Sequence, residues 1–243
     1  MTQSEFMNRM IARGYVHQCT NLEALDTLMN GGVPVAAYIG FDCTAPSLHV
    51  GSLVQIMILR HLQQCGHKPI VLLGGFTTKI GDPSGKDEAR RMMDAQDIAK
   101  NKEGIKQVFE QFLDFGDKET DAMLVDNADW LENLSLTTFL CDVGRVFSVN
   151  RMIKMDSVRQ RLERESNLSY LEFSYMLLQA YDFHKLNEIH KCRLQIGGSD
   201  QWGNIVMGME LHHRLSSSAN HLFNATTQGR DVFNAHKVTE CED

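Results

Sequence analysis

Four segments of this sequence hold residues that a nucleotide-handling site would use. The first is Tyr38-Ile39-Gly40-Phe41-Asp42-Cys43-Thr44-Ala45-Pro46-Ser47-Leu48-His49-Val50-Gly51-Ser52, where an apolar run passes through a turn into a helical pattern. A helix start has free backbone N–H groups and partial positive charge, which favour a phosphate. Gly40 and Gly51 would admit a ligand close to the backbone, and His49 could donate a hydrogen bond to a phosphoryl oxygen. A turn with a surface histidine is the plainer reading of His-x-Gly.

The second segment, Gly74 to Lys86, is glycine-rich and polar; Asp82 could pair with an ammonium group, and Lys86 and Arg90 could reach phosphates. It lacks the Gly-Lys-Ser/Thr ending of a P-loop, and a long solvated loop is the alternative. In the third, Tyr175, Gln179 and Asp182 are spaced i, i+4, i+7. On a helix they share one face, as a pocket lining or as a solvated stripe. The fourth, Gln195 to Asn204, is a strand end, a Gly197-Gly198 turn and a helix start. There Asp200 could accept from two ribose hydroxyls or act as a plain N-cap.

The elements that must hold these residues alternate. The spacing predicts strands over 33–41, 69–73, 122–125 and 192–196. It predicts helices over 48–64, 96–115, 130–140, 149–162, 170–185 and 201–215, with two short amphipathic helices in 5–30. Strand, helix, strand in this order makes a parallel sheet, so the fold class is α/β. In such sheets ligands bind at the carboxyl ends of the strands, and three of the four segments fall there. From residue 216 the apolar positions fit neither period, and the expectation is a poorly ordered tail or a loosely packed helix.

Composition sets the bounds. The 243 residues are 43% hydrophobic and 23% charged, which excludes disorder or coiled coil as a whole-chain description. With 24 Lys+Arg against 31 Asp+Glu the net charge is −7, so a general nucleic-acid coat is excluded, though a local basic face is not. No apolar run is long enough to span a membrane, and the first residues do not follow the plan of a signal peptide. Cysteines at 19, 43, 65, 141, 192 and 241 show no C-x-x-C pair, and reduced thiols in a cytoplasm are the simplest expectation.

Taken together, the four segments resemble bacterial-type tyrosyl-tRNA synthetases, class I aminoacyl-tRNA synthetases, over residues 5–215. The resemblance implies a Rossmann-like catalytic domain over 1–215, with a helical dimerisation-type insertion at about 127–165. It implies that tyrosine attacks the α-phosphate of ATP, with Mg2+ as counter-ion, and that the tyrosyl group then passes to tRNA(Tyr). By similarity Thr44, His49, Lys86 and Arg90 would stabilise the pyrophosphate end, an electrostatic form of catalysis. Gly40, Asp42, Gly51, Ser52, Gly198 and Asp200 would line the ATP site; Ser52 stands where the family signature usually has histidine. Tyr38 and Asp182 would hydrogen-bond the substrate phenol; Asp82, Tyr175 and Gln179 would hold its ammonium group, and Gln201 its carboxylate. A homodimer is expected, with Phe147, Met152, Ile153 and Met155 apolar enough for its contact. Arg151, Lys154, Arg159, Arg161 and Arg164 could meet tRNA phosphates, although Asp156, Glu163 and Glu165 interleave with them.

The departure from the family lies after residue 215. The second, Lys- and Ser-rich ATP signature is not matched, and Lys237 is the only lysine there. The helical anticodon-binding and small C-terminal RNA-binding domains are not matched either. The resemblance is thus to a catalytic domain that stops early, with impaired activity expected. A non-catalytic tyrosine-binding fragment is the first alternative. A nucleotidyltransferase sharing only the His-x-Gly helix start is the second, and it has no use for Tyr38, Tyr175, Gln179 and Asp182.

Overall fold

The structure is a computed structural model that describes residues 2–80, 93–219 and 231–235. Asp82, Lys86 and Arg90 lie outside the described residues.

Ser4 caps α1 (Glu5–Ala12), its side chain accepting from Met7 N, and Phe6, Met7 and Met10 form the buried face. A short strand, β1 (Val16–Cys19), precedes α2 (Leu22–Met29). Then β2 (Ala36–Phe41), α3 (Leu53–Gln64) and β3 (Lys68–Leu73) make the expected strand–helix–strand unit, paired in parallel from Ala36↔Lys68 to Phe41↔Leu73. Strand β2 begins three residues later than its apolar run, because Val33 is 70% exposed and Pro34 has no N–H to donate.

Helix α4 (Ala95–Phe109), capped by Asp94, stops six residues short of expectation. The carbonyls beyond it are taken by side chains of α3. Arg60 Nη1 donates to Phe112 O at 2.8 Å, and Gln63 Nε2 to Asp114 O at 2.7 Å. The apolar periodicity therefore persists while the helical ladder does not. Next come β4 (Met123–Asp126) and a helical insertion more broken than its pattern suggests. It comprises α5 (Ala128–Leu131), α6 (Leu136–Thr138), wider and tighter turns over 139–146, α7 (Val149–Met152) and α8 (Asp156–Glu163). Ser135 restarts the chain as an N-cap, accepting from Thr138 N, so a single helix over 130–140 does not form.

The long α9 (Tyr170–His190) starts in a capping box between Ser169 and Glu172. It leads through Lys191, left-handed at φ 55°, into β5 (Leu194–Gly198), and α10 (Trp202–Ala219) packs along it. Helix α10 continues to Ala219, and β6 (Asp231–Ala235) lies inside the sheet. It pairs in parallel with β5 and antiparallel with β1. All five residues pair with β5 and Phe233 to Ala235 also with β1, so the strand needs no longer periodicity to be held.

The strand order is β1-β6-β5-β2-β3-β4, with every neighbour parallel except β1. The pleat explains the continuous apolar runs of β2 and β3. Ala37, Ile39, Phe41, Val71 and Leu73 face a core shared with α1, α3 and α4. Ala36, Tyr38, Ile70 and Leu72 face a second core shared with α9 and the start of the insertion.

Candidate active site

A cavity of about 180 Å³ opens at the carboxyl ends of β2 and β5, beside α9. Tyr38, Gly40, Asp42, Tyr175, Gln179, Asp182, Gly198, Asp200 and Gln201 all line it. The three polar residues of α9 thus reach one space, as their i, i+4, i+7 spacing requires.

The closed end is built around Asp182, which is 3% exposed. Its Oδ1 accepts from Trp130 Nε1 at 2.8 Å and its Oδ2 from Asn127 Nδ2 at 3.0 Å. Burial pushes its carboxyl up to about 7, against these two hydrogen bonds, which favour the charged form. The Tyr38 ring stacks on Phe183, and its hydroxyl is buried with no hydrogen-bond partner among the described residues. Burial, then the nearby Asp182 charge, raises the Tyr38 phenol well above its usual range. A buried hydroxyl without a partner is costly in a folded chain. Here it lies in the wall of a polar cavity, next to a carboxylate with capacity for another donor.

Along the cavity, Asn204 Nδ2 donates to both Gln179 Oε1 and Gln201 Oε1, each at 3.1 Å. Gln201 Nε2 in turn donates to Asp200 Oδ2 at 3.2 Å. One amide from α10 therefore sets the orientation of two candidate ligand-binding glutamines. Gly40 is the exposed position of an otherwise buried strand, and a Cβ there would meet nothing within 4 Å. The strand backbone is open to a ligand at that point.

The turn after β2 is different. Thr44, His49 and Gly51 are exposed, Ser52 is half-buried, and none of the four lines the cavity. His49 Nδ1 accepts from Gly51 N at 3.1 Å. In the neutral ring the proton then sits on Nε2, where it can be donated outward.

Five residues of the cavity carry no signal among the four segments' candidate ligands: Gln55, Thr77, Asn127 and Gln195 on the wall, and Trp130 behind Asp182. Asn127 follows β4 directly, so the strand-end rule that marked the other segments would have found it. Gln195 is a lone polar residue inside an apolar strand, with its Oε1 buried and unpartnered among the described residues. The basic stretch is largely neutralised internally: Arg151 pairs with Glu210 at 2.6 Å, Arg159 with Glu163 at 3.8 Å, and buried Arg161 with Glu172 at 3.2 Å. Of the apolar residues expected at a dimer contact, Met152 is buried and Ile153 exposed; the larger exposed apolar face is elsewhere, at Leu136, Leu140, Tyr170 and Leu171. Among the described residues no cluster of three or more His, Cys, Asp or Glu could hold a metal, and no helix is long and apolar enough to cross a membrane.

Residues 29–233 match the family described as tRNA synthetases class I (W and Y). A tyrosine–tRNA ligase of Wolbachia pipientis is 59% identical over 225 residues, 93% of this chain and 53% of the relative. That of Novosphingobium aromaticivorans is 62% identical over 212 residues, 87% of this chain and 52% of the relative. The chain spans about half the length of the curated relatives it matches. Among solved structures, a C-terminally truncated mitochondrial tyrosyl-tRNA synthetase of Coccidioides posadasii superposes with a TM-score of 0.82 at 29% identity, covering 96% of this chain and 67% of that one. A tyrosyl-tRNA synthetase of Archaeoglobus fulgidus complexed with L-tyrosine has a TM-score of 0.62 at 18% identity, covering 96% and 64%, and shares the fold.

Proposed function

Since the chain belongs to the class I tRNA synthetases of the tryptophan and tyrosine group, we propose that its cavity binds L-tyrosine and that the chain activates it with ATP, as a tyrosine–tRNA ligase does before transfer to tRNA(Tyr). One observation carries this reading: Tyr38 and Asp182 present a buried hydroxyl and a buried carboxylate to the same closed end. A phenol entering there donates to Asp182 and accepts from Tyr38. Phenylalanine leaves both unpaired, and unpaired buried groups are the source of strong discrimination, for which tyrosyl-tRNA synthetases are themselves the standard illustration.

In the proposed reaction a tyrosine carboxylate oxygen bonds to the α-phosphorus of ATP and the bond to pyrophosphate breaks. Tyr175 and Gln179, with Asp82, take the ammonium group, and Gln201 steadies the carboxylate. Gly198 and Asp200 take the ribose, and Gly40, Asp42, Gly51 and Ser52 complete the nucleotide site. Thr44 and His49, with Lys86 and Arg90, meet the charge that builds on the leaving pyrophosphate. Mg2+ enters with ATP as its counter-ion.

The exposed apolar face at Leu136, Leu140, Tyr170 and Leu171 supports a homodimer through the insertion and the start of α9. The unbridged thiols of Cys43, Cys65, Cys141 and Cys192 fit a reducing, cytoplasmic setting. A second reading, tyrosine binding without activation, is favoured by the exposed turn, whose Thr44, His49 and Gly51 stand outside the cavity that Tyr38 and Asp182 line.

Tyrosine-dependent ATP–pyrophosphate exchange separates the two, with phenylalanine and His49→Ala as controls. Exchange that needs both tyrosine and His49 is expected. Tyrosine binding at equilibrium without exchange would leave only the second reading.

A further inference from the structure

The exposed turn that carries Thr44 and His49 is held from behind, at one residue. Cys43 is fully buried, and both of its peptide groups are fastened. Its N–H donates to Thr78 Oγ1 at 2.8 Å, which fixes the plane between residues 42 and 43. Its carbonyl accepts from Asn101 Nδ2 at 2.9 Å, which fixes the plane between residues 43 and 44. Thr78 and Asn101 are themselves buried, at 3% and 6% exposure. A hydrogen bond in such a setting is strong and directional, and expensive to leave unmade.

Three positions along α4 from Asn101, on the same face, stands Gly104. A Cβ there would lie 2.1 Å from Pro46 O. Glycine inside a helix costs about 1 kcal/mol relative to alanine, and this close approach is what the position gains in return. The turn therefore rests on α4 at two points, through the Cys43 carbonyl and through Pro46. The closed end of the cavity is held by other bonds, from Asn127 and Trp130 to Asp182; α4 touches that side through Lys102, which donates to Asp126 Oδ2 beside Asn127, and not through Asn101 or Gly104.

We propose that Asn101 is a positioning residue for the phosphate-facing turn: its amide fixes the peptide plane from which Thr44 projects, so that it governs ATP binding and leaves tyrosine binding alone. This rests on the tyrosine-activation reading. It assigns α4 a share in the nucleotide site although no residue of α4 lines the cavity.

The test is equilibrium binding by calorimetry of the whole chain, so that no turnover is needed. L-tyrosine is titrated first. MgATP is then titrated into protein saturated with tyrosinol, which lacks the carboxylate that would react. The variants are Asn101→Asp, which keeps the shape but turns an oxygen toward the Cys43 carbonyl, and Gly104→Ala, which pushes Pro46 away. Each is expected to bind ATP about tenfold more weakly, the scale of one well-placed hydrogen bond, with tyrosine affinity within about twofold of the parent. If Asn101→Asp fails to fold, Gly104→Ala still decides the matter. Unchanged ATP affinity in a folded variant overturns the proposal, as does a parallel loss of tyrosine and ATP affinity. A parent chain that binds tyrosine but no ATP also overturns it, because the turn is then no phosphate site. A parent chain that binds neither ligand refutes the tyrosine-activation reading itself.

Discussion

The raised carboxyl of Asp182 makes the proposed tyrosine binding depend on pH in a direction that can be worked out. Its value of about 7 in the folded chain, against 3.8 for an ordinary aspartate, comes from burial. Three units correspond to roughly 4 kcal/mol carried by the charged form. Between about pH 4 and 7 the folded state holds a proton that the unfolded chain has released. Stability from this group therefore falls as pH rises through that window and is lowest above 7. A phenol that donates to the carboxylate favours the ionised form, so tyrosine affinity rises with pH and levels off above about 7. At pH 6 only about one tenth of the sites are ionised, and affinity is expected to be about tenfold below the plateau.

The assay is calorimetric titration of tyrosine from pH 5.5 to 8.5, in buffers of different ionisation enthalpy. Near pH 6 binding should release close to one proton, on the same linkage. Phenylalanine should show the opposite slope, because it buries the charge without pairing it, so discrimination widens with pH. Asp182→Asn should remove both slopes. It also leaves one of the two donors, Asn127 Nδ2 or Trp130 Nε1, without its acceptor, at a cost of about 1–3 kcal/mol in stability. Tyrosine affinity that is flat from pH 6 to 8 without proton release, or a slope that survives in Asp182→Asn, would refute the reasoning.

Further outcomes are expected. Asp182→Ala should erode the preference for tyrosine over phenylalanine, read as the ratio of their binding constants; an unchanged ratio counts against the phenol pocket. Glu172→Ala removes both the capping box and the partner of buried Arg161, and should cost about 3–5 kcal/mol. Arg159→Ala, at an exposed pair, should cost less than about 0.5 kcal/mol in the same denaturant titration. Gly75→Ala would place a Cβ 2.3 Å from Asp126 Oδ1, a carboxylate already held by Lys102 and by Ala128 N; a loss of about 1–3 kcal/mol is expected by thermal unfolding. Leu136→Glu, at an exposed position of the apolar face, should convert a dimer to a monomer in sedimentation velocity, and a dimer that persists would place the contact elsewhere.

The sheet was legible where one strand's own sequence decides its burial. β2 and β3 are apolar on both pleated faces, and each face has its own core. Strands β1 and β6 were not legible, because what holds them is pairing with each other and with β5 across almost the whole chain. Val16 to Cys19 offers four residues of ambiguous pattern and no local signal of a partner. The insertion was misjudged for a related reason. Its apolar spacing is helical, but Ser135 restarts the first helix as an N-cap and the second breaks between Met152 and Asp156, and such breaks act at single residues that a periodicity averages away. In the site, the α9 stripe was legible because its three groups lie on one element. Trp130 was not, since its value comes only from meeting Asp182 across the fold, whereas Asn127 stands at a strand end and could have been marked by it.

The same contrast separates the two ends of the site. The proposed phenol end is made of groups buried by strands and helices of the core; its hydrogen bonds join α9 to the end of β4 and to α5, and Tyr38 of β2 is held by packing. Orientation there is secured by packing, so a ligand that fits need spend little to organise it. The proposed phosphate end is an exposed turn where, among the described residues, His49 bonds only locally, to Gly51. Its order comes from behind, through Cys43, Thr78 and Asn101. Charge stabilisation in a transition state depends on donors that need not reorganise. Selectivity for tyrosine is accordingly expected to survive substitutions at Asn101 and Gly104 of α4, whereas the rate of activation is expected to be sensitive to them. A variant of α4 that lowers selectivity while sparing the rate would show that the two ends are not held independently.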